Sequence, residues 1–268
     1  MRDSSIITLM TDFGDRDPYV GCMKGVILST VPDARIVDIT HQVPSFSMVS
    51  ASYMLSTYYG MYPPGTVHVA VVDPGVGGPR AALAVAAGGH FFVLPDNGII
   101  TMVAEEHKEG FRARLIENPL LMRDERSATF HGRDIFAPAA AKLASGFPFD
   151  EVGPAILHPA LIEGIVVSVG ASTLTGAAVH IDHFGNYITN ITAEHLSKYE
   201  GPPTLVKIGA FAIMGMSHTY SDKKNGELLA YVGSTGRLEI AVAGGSAKDV
   251  VGLPAGAEVV VRWRGAAG

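Results

Sequence analysis

Aspartates follow two apolar segments of the chain, where ligand-binding residues of α/β proteins are often found. Asp12 follows the first apolar run and Asp73 follows residues 67–72. An aspartate after a first strand is well placed to bind the two hydroxyls of a ribose, although aspartates also cap helices and turns. Asp12 with Asp15 and Asp17 would offer oxygen ligands to Mg²⁺. No second carboxylate cluster supports that alternative, so no metal is predicted.

The loop from Asp73 to Arg80, DPGVGGPR, is the most unusual local stretch. Its glycines could cradle a phosphate, but Arg80 stands where the dinucleotide-binding fingerprint needs its last glycine. The Gly-Lys-Ser/Thr ending of a P-loop is also missing. A loop whose backbone packs closely on a small ligand, with Asp73 and Arg80 at its two ends, fits the sequence better.

His131 precedes a glycine and an apolar helical segment. Histidine titrates near neutral pH, so His131 could act as an acid or a base. A capping or surface histidine fits the composition equally well. The remaining histidines have no metal-ligand spacing and are interpreted as structural or solvated.

Two segments of the second half carry polar and aromatic groups suited to binding. In residues 182–187, Phe184 offers a face for stacking and the Asn186 amide can both donate and accept hydrogen bonds. A simple β-turn around Gly185 is a strong alternative. Residues 233–239 are a turn into a strand and are equally ambiguous by themselves.

The elements that must position these residues change in character along the chain. The first half alternates apolar strands with helical stripes, which predicts an α/β domain with a mostly parallel sheet. From residue 165 onward the predicted strands are short, which indicates a smaller all-β, barrel-like domain. The predicted domains are residues 1–164 and 165–268. The predicted strands are 6–10, 35–39, 67–72, 82–86, 91–94, 165–169, 177–181, 204–208, 228–232, 238–242 and 258–263, and the predicted helices are 19–30, 47–59 (with Ser47 as N-cap), 98–106, 133–144 and 193–198.

Composition excludes several classes of protein. Of the 268 residues, 47% are hydrophobic and 17% charged, which is typical of a globular chain with a sizeable core. The net charge of −6 argues against a nucleic-acid-binding surface. The single cysteine, Cys22, excludes an internal disulfide and a multi-cysteine metal site. There is neither a signal-peptide core nor an 18-residue apolar run, so we expect a cytoplasmic protein without membrane contact.

Taken in order, seven motifs resemble the S-adenosyl-L-methionine (SAM) hydrolase family, also called the SAM hydroxide adenosyltransferases, which is related to the bacterial fluorinase and chlorinase. The resemblance covers roughly residues 5–262. The motifs are TDFGDRDPYVGCMKG, DITHQVP, VVDPGVGGPR, LPDNGIIT, TFHGRDIFAPAAA, IDHFGNYITN and GSTGRLEIA. Each motif alone is weak, but their combination in this order is specific.

The resemblance implies the two-domain architecture and a homotrimer whose active sites lie between neighbouring subunits. It places a catalytic trio on Asp73, Arg80 and His131 and the ribose-binding carboxylate on Asp12. Further adenosine and methionine contacts fall on a set of residues that supply polar, aromatic or backbone groups: Phe46, Asp73, Asp182, Phe184, Asn186, Tyr220, Ser234, Glu239 and the backbone of Val242. Phe46 stands where the halogenases carry tryptophan, and Tyr220 where they carry phenylalanine.

The halogenases of the related branch differ at the decisive positions. They have tyrosine in place of Asp73, a tyrosine–serine pair in place of His131-Gly132, and a long insertion after the loop that ends at Arg80. Each difference favours water over halide as the nucleophile. The resemblance therefore implies hydrolysis of SAM to adenosine and L-methionine, with SAM as substrate and no cofactor. The alternatives are a SAM-dependent halogenase and a non-catalytic SAM- or adenosine-binding sensor.

The residue chemistry agrees with hydrolysis. The 5′ carbon of SAM bears a sulfonium, so methionine leaves as a neutral thioether and needs no protonating acid. Water is a poor nucleophile and needs a base or strong electrostatic support. Arginine stays protonated, which assigns stabilisation of hydroxide-like charge to Arg80 and proton acceptance to His131. Asp73 either orients one of them or holds the ribose.

Overall fold

A computed structural model describes residues 5–163 and 165–264 and divides into two compact units, Met1–Ile162 and Glu163–Gly268. Gly164, at the predicted domain boundary, lies outside the described residues. Within the described ranges, every helix is too short or too polar to cross a membrane.

The first unit alternates strands and helices over most of its length. Its strands are β1 (Ile6–Thr11), β2 (Arg35–Thr40), β3 (Val67–Val71), β4 (Ala82–Ala87), β5 (His90–Pro95), β6 (Arg112–Leu115) and β7 (Ala155–Ile156). Its α-helices are α1 (Tyr19–Thr30), α2 (Met48–Tyr58), α3 (Thr101–Glu106) and α4 (Ala137–Ala144). Short 3₁₀ turns occupy Tyr59–Met61, Pro119–Leu121 and Phe149–Glu151, and a π-helical turn, Gly132–Phe136, leads into α4.

The sheet of this unit has a parallel half and an antiparallel half. Its strands lie in the order β2-β1-β3-β5-β4-β6-β7, with parallel pairing from β2 to β5 and antiparallel pairing beyond. Helices return the chain between β1, β2 and β3, as parallel strands require. The turn between β4 and β5 is only Gly88-Gly89, both with positive φ, which forms a tight hairpin. The predicted α/β class is confirmed, and the sheet is mixed.

Both faces of the central strands are covered. On one face, Ile7, Leu9 and Val69 pack with residues of α1 and α4. On the other face, Met10 and Ala70 pack with residues of α2 and α3. All five residues of β3 are buried, and four of the five are apolar, as expected of a strand that is covered on both faces.

A chain of buried hydrogen bonds crosses β1, β3 and β5 near the ends of β3 and β5 opposite Asp73. The Thr8 hydroxyl lies 2.9 Å from Nδ1 of His68, and Nε2 of His68 lies 3.2 Å from Nδ1 of His90. His68 is fully buried and His90 is 5% exposed. Burial, with a smaller effect of neighbouring His90, lowers the pKa of His68 to about 3. Burial also lowers the pKa of His90, with a smaller effect of His107.

The second unit is an antiparallel, nearly closed sheet. Its strands are β8 (Ser168–Val169), β9 (Thr173–Ile181), β10 (Tyr187–Thr192), β11 (Leu205–Ile208), β12 (Phe211–Met214), β13 (Leu228–Val232), β14 (Arg237–Val242) and β15 (Glu258–Arg262), with short helices α5 (Ala193–Ser197) and α6 (Ala247–Val251) and a 3₁₀ turn at Tyr220–Asp222. The strand order is β12-β11-β15-β9-β10-β14-β13, and β8 pairs with β9. Because β12 also contacts β13, the sheet curls into the predicted barrel-like form.

Several predicted boundaries differ from the observed ones. The strand predicted at 165–169 covers only Ser168–Val169, and β6, β7, β10 and β12 were not predicted as strands. The helix predicted from Gly98 begins at Thr101, because Gly98 has a φ of +98°, outside the helical region. Ser47 is the N-cap of α2, as predicted, and its hydroxyl accepts a hydrogen bond from the Ser50 N–H at 3.3 Å.

Candidate functional site

Asp73 and Arg80 form a two-pronged ion pair across the ends of their loop. Asp73 follows the end of β3, and Arg80 lies just before β4. Nε of Arg80 donates to Oδ1 of Asp73 at 2.9 Å, and Nη2 donates to Oδ2. The Arg80 side chain is only 11% exposed, and the Asp73 side chain is only 5% exposed. Parallel hydrogen bonds of this type fix the plane of the guanidinium as well as its position.

His131 completes this group through the same guanidinium. Nη2 of Arg80 lies 2.7 Å from Nδ1 of His131. Because arginine can only donate, Nδ1 must accept, and neutral His131 then carries its proton on Nε2. Burial lowers the pKa of His131, and the positive charge of Arg80 lowers it further, while Asp73 and Asp134 act in the opposite direction. His131 is therefore held neutral, with a proton on Nε2 that it can donate in a hydrogen bond.

A π-helical turn presents His131. His131 immediately precedes Gly132–Phe136, and such turns often occur at functional sites. A Cβ on Gly132 would lie 3.2 Å from Sδ of Met23 and 3.3 Å from the Phe13 ring. Glycine thus lets the segment after His131 pack against the loop that carries Asp12.

The loop between Asp73 and Arg80 closes against the segment that precedes His131. Gly77 has a φ of +76°, and a Cβ there would lie 2.3 Å from the Ala128 carbonyl oxygen. That segment is itself anchored by Asp134, which is fully buried. The Asp134 carboxylate accepts from the Ser127 N–H at 2.8 Å and from Nε of Arg133 at 2.7 Å. The trio is thus built from two loops in direct contact.

Asp12 lies at the carboxyl end of β1, beside the strand that leads to Asp73. Oδ2 of Asp12 accepts from the Phe46 N–H at 3.1 Å, which leaves further lone pairs of the carboxylate for a ligand. Phe46 has a φ of 64°, a costly conformation for a residue other than glycine. Its ring is 68% exposed. An exposed ring held by a strained backbone beside a carboxylate suits the binding of a nucleoside.

In the second unit, Asp182 organises a turn after β9. Its Oδ1 accepts from the backbone N–H groups of Phe184 and Asn186 at 2.9 and 2.8 Å, and its Oδ2 accepts from the Asn186 amide at 2.9 Å. The turn interpretation of this motif is therefore correct at the level of structure. It also presents the Phe184 ring, which is 73% exposed.

A row of hydroxyls connects this turn to Glu239. The Asn186 amide donates to the Tyr220 hydroxyl at 3.2 Å, the Tyr220 hydroxyl contacts that of Tyr231, and the Tyr231 hydroxyl donates to Oε2 of Glu239 at 2.5 Å. Burial raises the pKa of Glu239, and nearby Asp182 adds to the effect. Sequence reasoning missed Tyr231. Its position opposite Glu239 depends on the pairing of β13 with β14, which the sequence patterns did not reveal.

The last two predicted residues of this unit lie on the same hairpin. Ser234 is exposed in the turn between β13 and β14, and Val242 is buried at the end of β14. A Cβ on Gly233 would lie 1.9 Å from Oε1 of Glu239, so only glycine allows Glu239 its present position.

The surroundings of the trio offer space for small molecules and no evident metal centre. A cavity of about 480 Å³ borders Arg80 and His131 on the side of β4 and β6. Across residues 5–163 and 165–264, no three histidine, cysteine or acidic side chains converge as metal ligands would.

Comparison with known proteins identifies relatives over almost the entire chain. It is 38% identical over 259 residues to the (R)-S-adenosyl-L-methionine hydrolase of Salinispora tropica, covering 96% of this chain and 97% of that protein. It is 36% identical to the protein of the same name from Thermus thermophilus, covering 94% and 98%. The fluorinase of Actinoplanes sp. is 28% identical, covering 88% and 90%.

The fold and the family assignment agree. The crystal structure of an uncharacterized conserved protein from Thermotoga maritima superposes with a TM-score of 0.86 at 37% identity, covering 96% of this chain and 100% of that one. Residues 7–153 match the model of the SAM hydroxide adenosyltransferase N-terminal domain, and residues 176–260 match that of the C-terminal domain. The resemblance inferred from the motifs is thereby confirmed, and the chain belongs to the SAM hydroxide adenosyltransferase family.

Proposed function

We propose that this protein is an enzyme that hydrolyses (R)-S-adenosyl-L-methionine to adenosine and L-methionine. The observation that carries the proposal is the arginine-centred trio, in which Arg80 bridges the Asp73 carboxylate and Nδ1 of His131. The relatives that are 36–38% identical bear the name of that activity. Their names also specify the (R) configuration, which we take as the configuration of the sulfonium.

The proposed reaction is an in-line displacement at the 5′ carbon of the ribose. The oxygen of water attacks as the C–S bond breaks, methionine leaves as a neutral thioether, and one proton is released. Arg80 stabilises the hydroxide-like oxygen electrostatically. Neutral His131 donates to the same oxygen from Nε2. Proton acceptance by His131, as inferred from the sequence, requires its Nδ1 lone pair, which is engaged by Arg80; the proton is therefore proposed to leave to solvent.

Substrate binding is proposed for the residues outside the trio. Asp12 would bind the ribose hydroxyls, because one oxygen of its carboxylate accepts from the Phe46 N–H and further lone pairs remain available. Phe46 and Phe184 would supply stacking faces. The remaining contacts to adenosine and methionine are assigned to Asp73, Asp182, Asn186, Tyr220, Ser234, Glu239 and the backbone of Val242.

The two alternatives have less support. The relatives named fluorinase are 26–28% identical, below the 36–38% of those named hydrolase. A non-catalytic sensor would have no need of a buried arginine held between a carboxylate and an imidazole.

The proposed function is tested by incubating EDTA-treated protein with each sulfonium epimer of SAM in ¹⁸O-water. We expect adenosine labelled at the 5′-hydroxyl, unlabelled methionine, and faster turnover of the (R) epimer. Because the displacement is in line, a 5′ carbon made chiral with deuterium should be inverted. A dominant 5′-halogenated nucleoside in excess chloride or fluoride would identify a halogenase, and binding without turnover would identify a sensor.

We further propose a homotrimer in which Asp12 and Asp73 of one subunit face Asn186 and Ser234 of the next. A mixture of Asp12→Ala and Asn186→Ala chains tests this arrangement. If each site takes Asp12 from one subunit and Asn186 from the next, about a quarter of the sites in random mixed trimers have both residues intact. Activity should therefore return when the two weak variants form mixed trimers. Light scattering should give three chains per particle. A fully active monomer would rule the assembly out.

A further inference from the structure

The motif LPDNGIIT has no place in the proposed chemistry, although it lies beside the trio. Its residues 96–98 follow β5, and β5 lies between β3 and β4 in the sheet. Asp73 follows β3 and Arg80 precedes β4. The motif therefore stands between the two strand ends that carry the ion pair.

On one side, Asn97 holds the backbone next to Asp73. Strands β3 and β5 pair in parallel from Val67↔Phe91 to Val69↔Val93. If this register is continued beyond the paired residues, Asn97 lies opposite Asp73. The backbone N–H of Asn97 turns back to the Pro95 carbonyl at 3.0 Å and so does not continue the ladder. The Asn97 amide takes its place and donates from Nδ2 to the Val72 carbonyl at 2.8 Å.

On the other side, Asp96 holds the backbone next to Arg80. The Asp96 N–H donates to the Ala81 carbonyl at 2.9 Å, and Nη1 of Arg80 donates to the same carbonyl at 3.3 Å. The Asp96 side chain is fixed in turn, since its Oδ1 accepts from the Ala160 N–H at 2.7 Å. One carbonyl thus connects the motif to the guanidinium itself.

These contacts close into a ring around the catalytic arginine. The ring runs from Asn97 through Val72 to Asp73, from Asp73 to Arg80, and from Arg80 through the Ala81 carbonyl back to Asp96. Oδ1 of Asn97 is buried and has no hydrogen-bond partner among the residues that the structure describes. The amide is therefore oriented by its bond to Val72.

We propose that Asn97 is a positioning residue for the reaction. By holding the end of β3, it keeps the Asp73 carboxylate in the plane of the Arg80 guanidinium. Arg80 is thereby kept in its hydrogen bond to Nδ1 of His131. The proposal rests on the proposed hydrolysis for its kinetic consequences. Small displacements of catalytic groups are costly, and a shift of about 1 Å can lower a rate about 100-fold.

The test compares Asn97→Ala and the near-isosteric Asn97→Asp with Asn118→Ala. Asn118 is a matched control, because its amide also donates to a backbone carbonyl of this unit, that of Glu151, at 2.9 Å. We expect both Asn97 variants to lose about 10- to 100-fold in kcat with KM changed less than about twofold. Asn118→Ala should keep its kcat, even where its melting temperature falls as far as that of Asn97→Ala.

A second measurement does not depend on turnover. The charge of Arg80 is one cause of the lowered pKa of His131, so loosening Arg80 should move that pKa upward in an NMR titration of Asn97→Ala. An unchanged kcat and an unchanged His131 titration in folded Asn97 variants would overturn the proposal, as would an equal loss of kcat in Asn118→Ala. A wild-type protein that binds SAM without hydrolysing it would contradict the proposed function, while the titration would still test the positioning.

Discussion

The Arg80→Ala variant is expected to lose about 10³-fold in kcat for SAM hydrolysis, because it removes the charge that we propose stabilises the attacking oxygen. Its KM should change little, since Asp12 and the other proposed binding residues remain. Arg114→Ala is the matched control: Arg114 also pairs with a carboxylate of the first unit, that of Asp150, at 2.7 Å. Steady-state kinetics on both variants check the expectation. A kcat within about tenfold of the wild type for Arg80→Ala would remove Arg80 from the mechanism.

Variants of His131 separate its two possible roles. Glutamine can place an N–H near the position of Nε2 but cannot accept a proton at neutral pH. If His131 acts as a donor, His131→Gln should keep much more activity than His131→Ala, and its rate should vary less with pH. If His131 is the proton acceptor, both variants should be equally impaired.

Loss of stability in mild acid is the second large effect expected. The folded protein keeps His68 neutral down to about pH 3, whereas the unfolded chain protonates it near pH 6.5. Stability from this group is therefore complete above pH 6.5 and declines as the pH falls below it. The free energy of unfolding should drop by about 2 kcal/mol from His68 alone at pH 5. Buried His90 adds to the loss in the same direction.

The groups around His68 cannot relieve a charge there. It faces the Thr8 hydroxyl, His90, and the rings of Tyr58, Tyr62 and Phe92, none of them anionic. Urea unfolding at pH 7.5, 6.5 and 5 gives the measurement, with His68→Gln compared with His158→Gln, a change at an exposed histidine. The acid-dependent loss should shrink in the first variant and persist in the second. The same loss in both would show that other groups determine it.

Motif order identified the family and brought Asp73, Arg80 and His131 to attention. Short-range patterns also predicted most elements of the first unit and the Ser47 cap. They could not predict the contacts that depend on strand order. Tyr231 is an ordinary β-strand residue until β13 pairs with β14 and places it opposite Glu239. Asn97 looks like a turn residue until β5 is found between β3 and β4.

The contact between Nδ1 of His131 and Arg80 also could not be predicted from the sequence. The residue type allows proton acceptance, donation or capping, and only the position of the Arg80 guanidinium decides which ring nitrogen is engaged. The hairpin between β4 and β5 is a similar case. Its two glycines are visible in the sequence, but their conformation reverses the sheet from parallel to antiparallel pairing.

The position of α4 has a consequence for how the chain folds. This helix contacts α1, β1, β3 and β5, and Ile7 of the first strand shares one apolar cluster with Ala137. Contacts between such distant segments slow folding, because a long loop must close before they form. On a ribosome, β1 emerges well before α4, so the part of its apolar face that α4 covers stays exposed until that helix has been made. His131 arrives on the segment that leads into α4, so the trio is completed only when the last large piece of its core has docked.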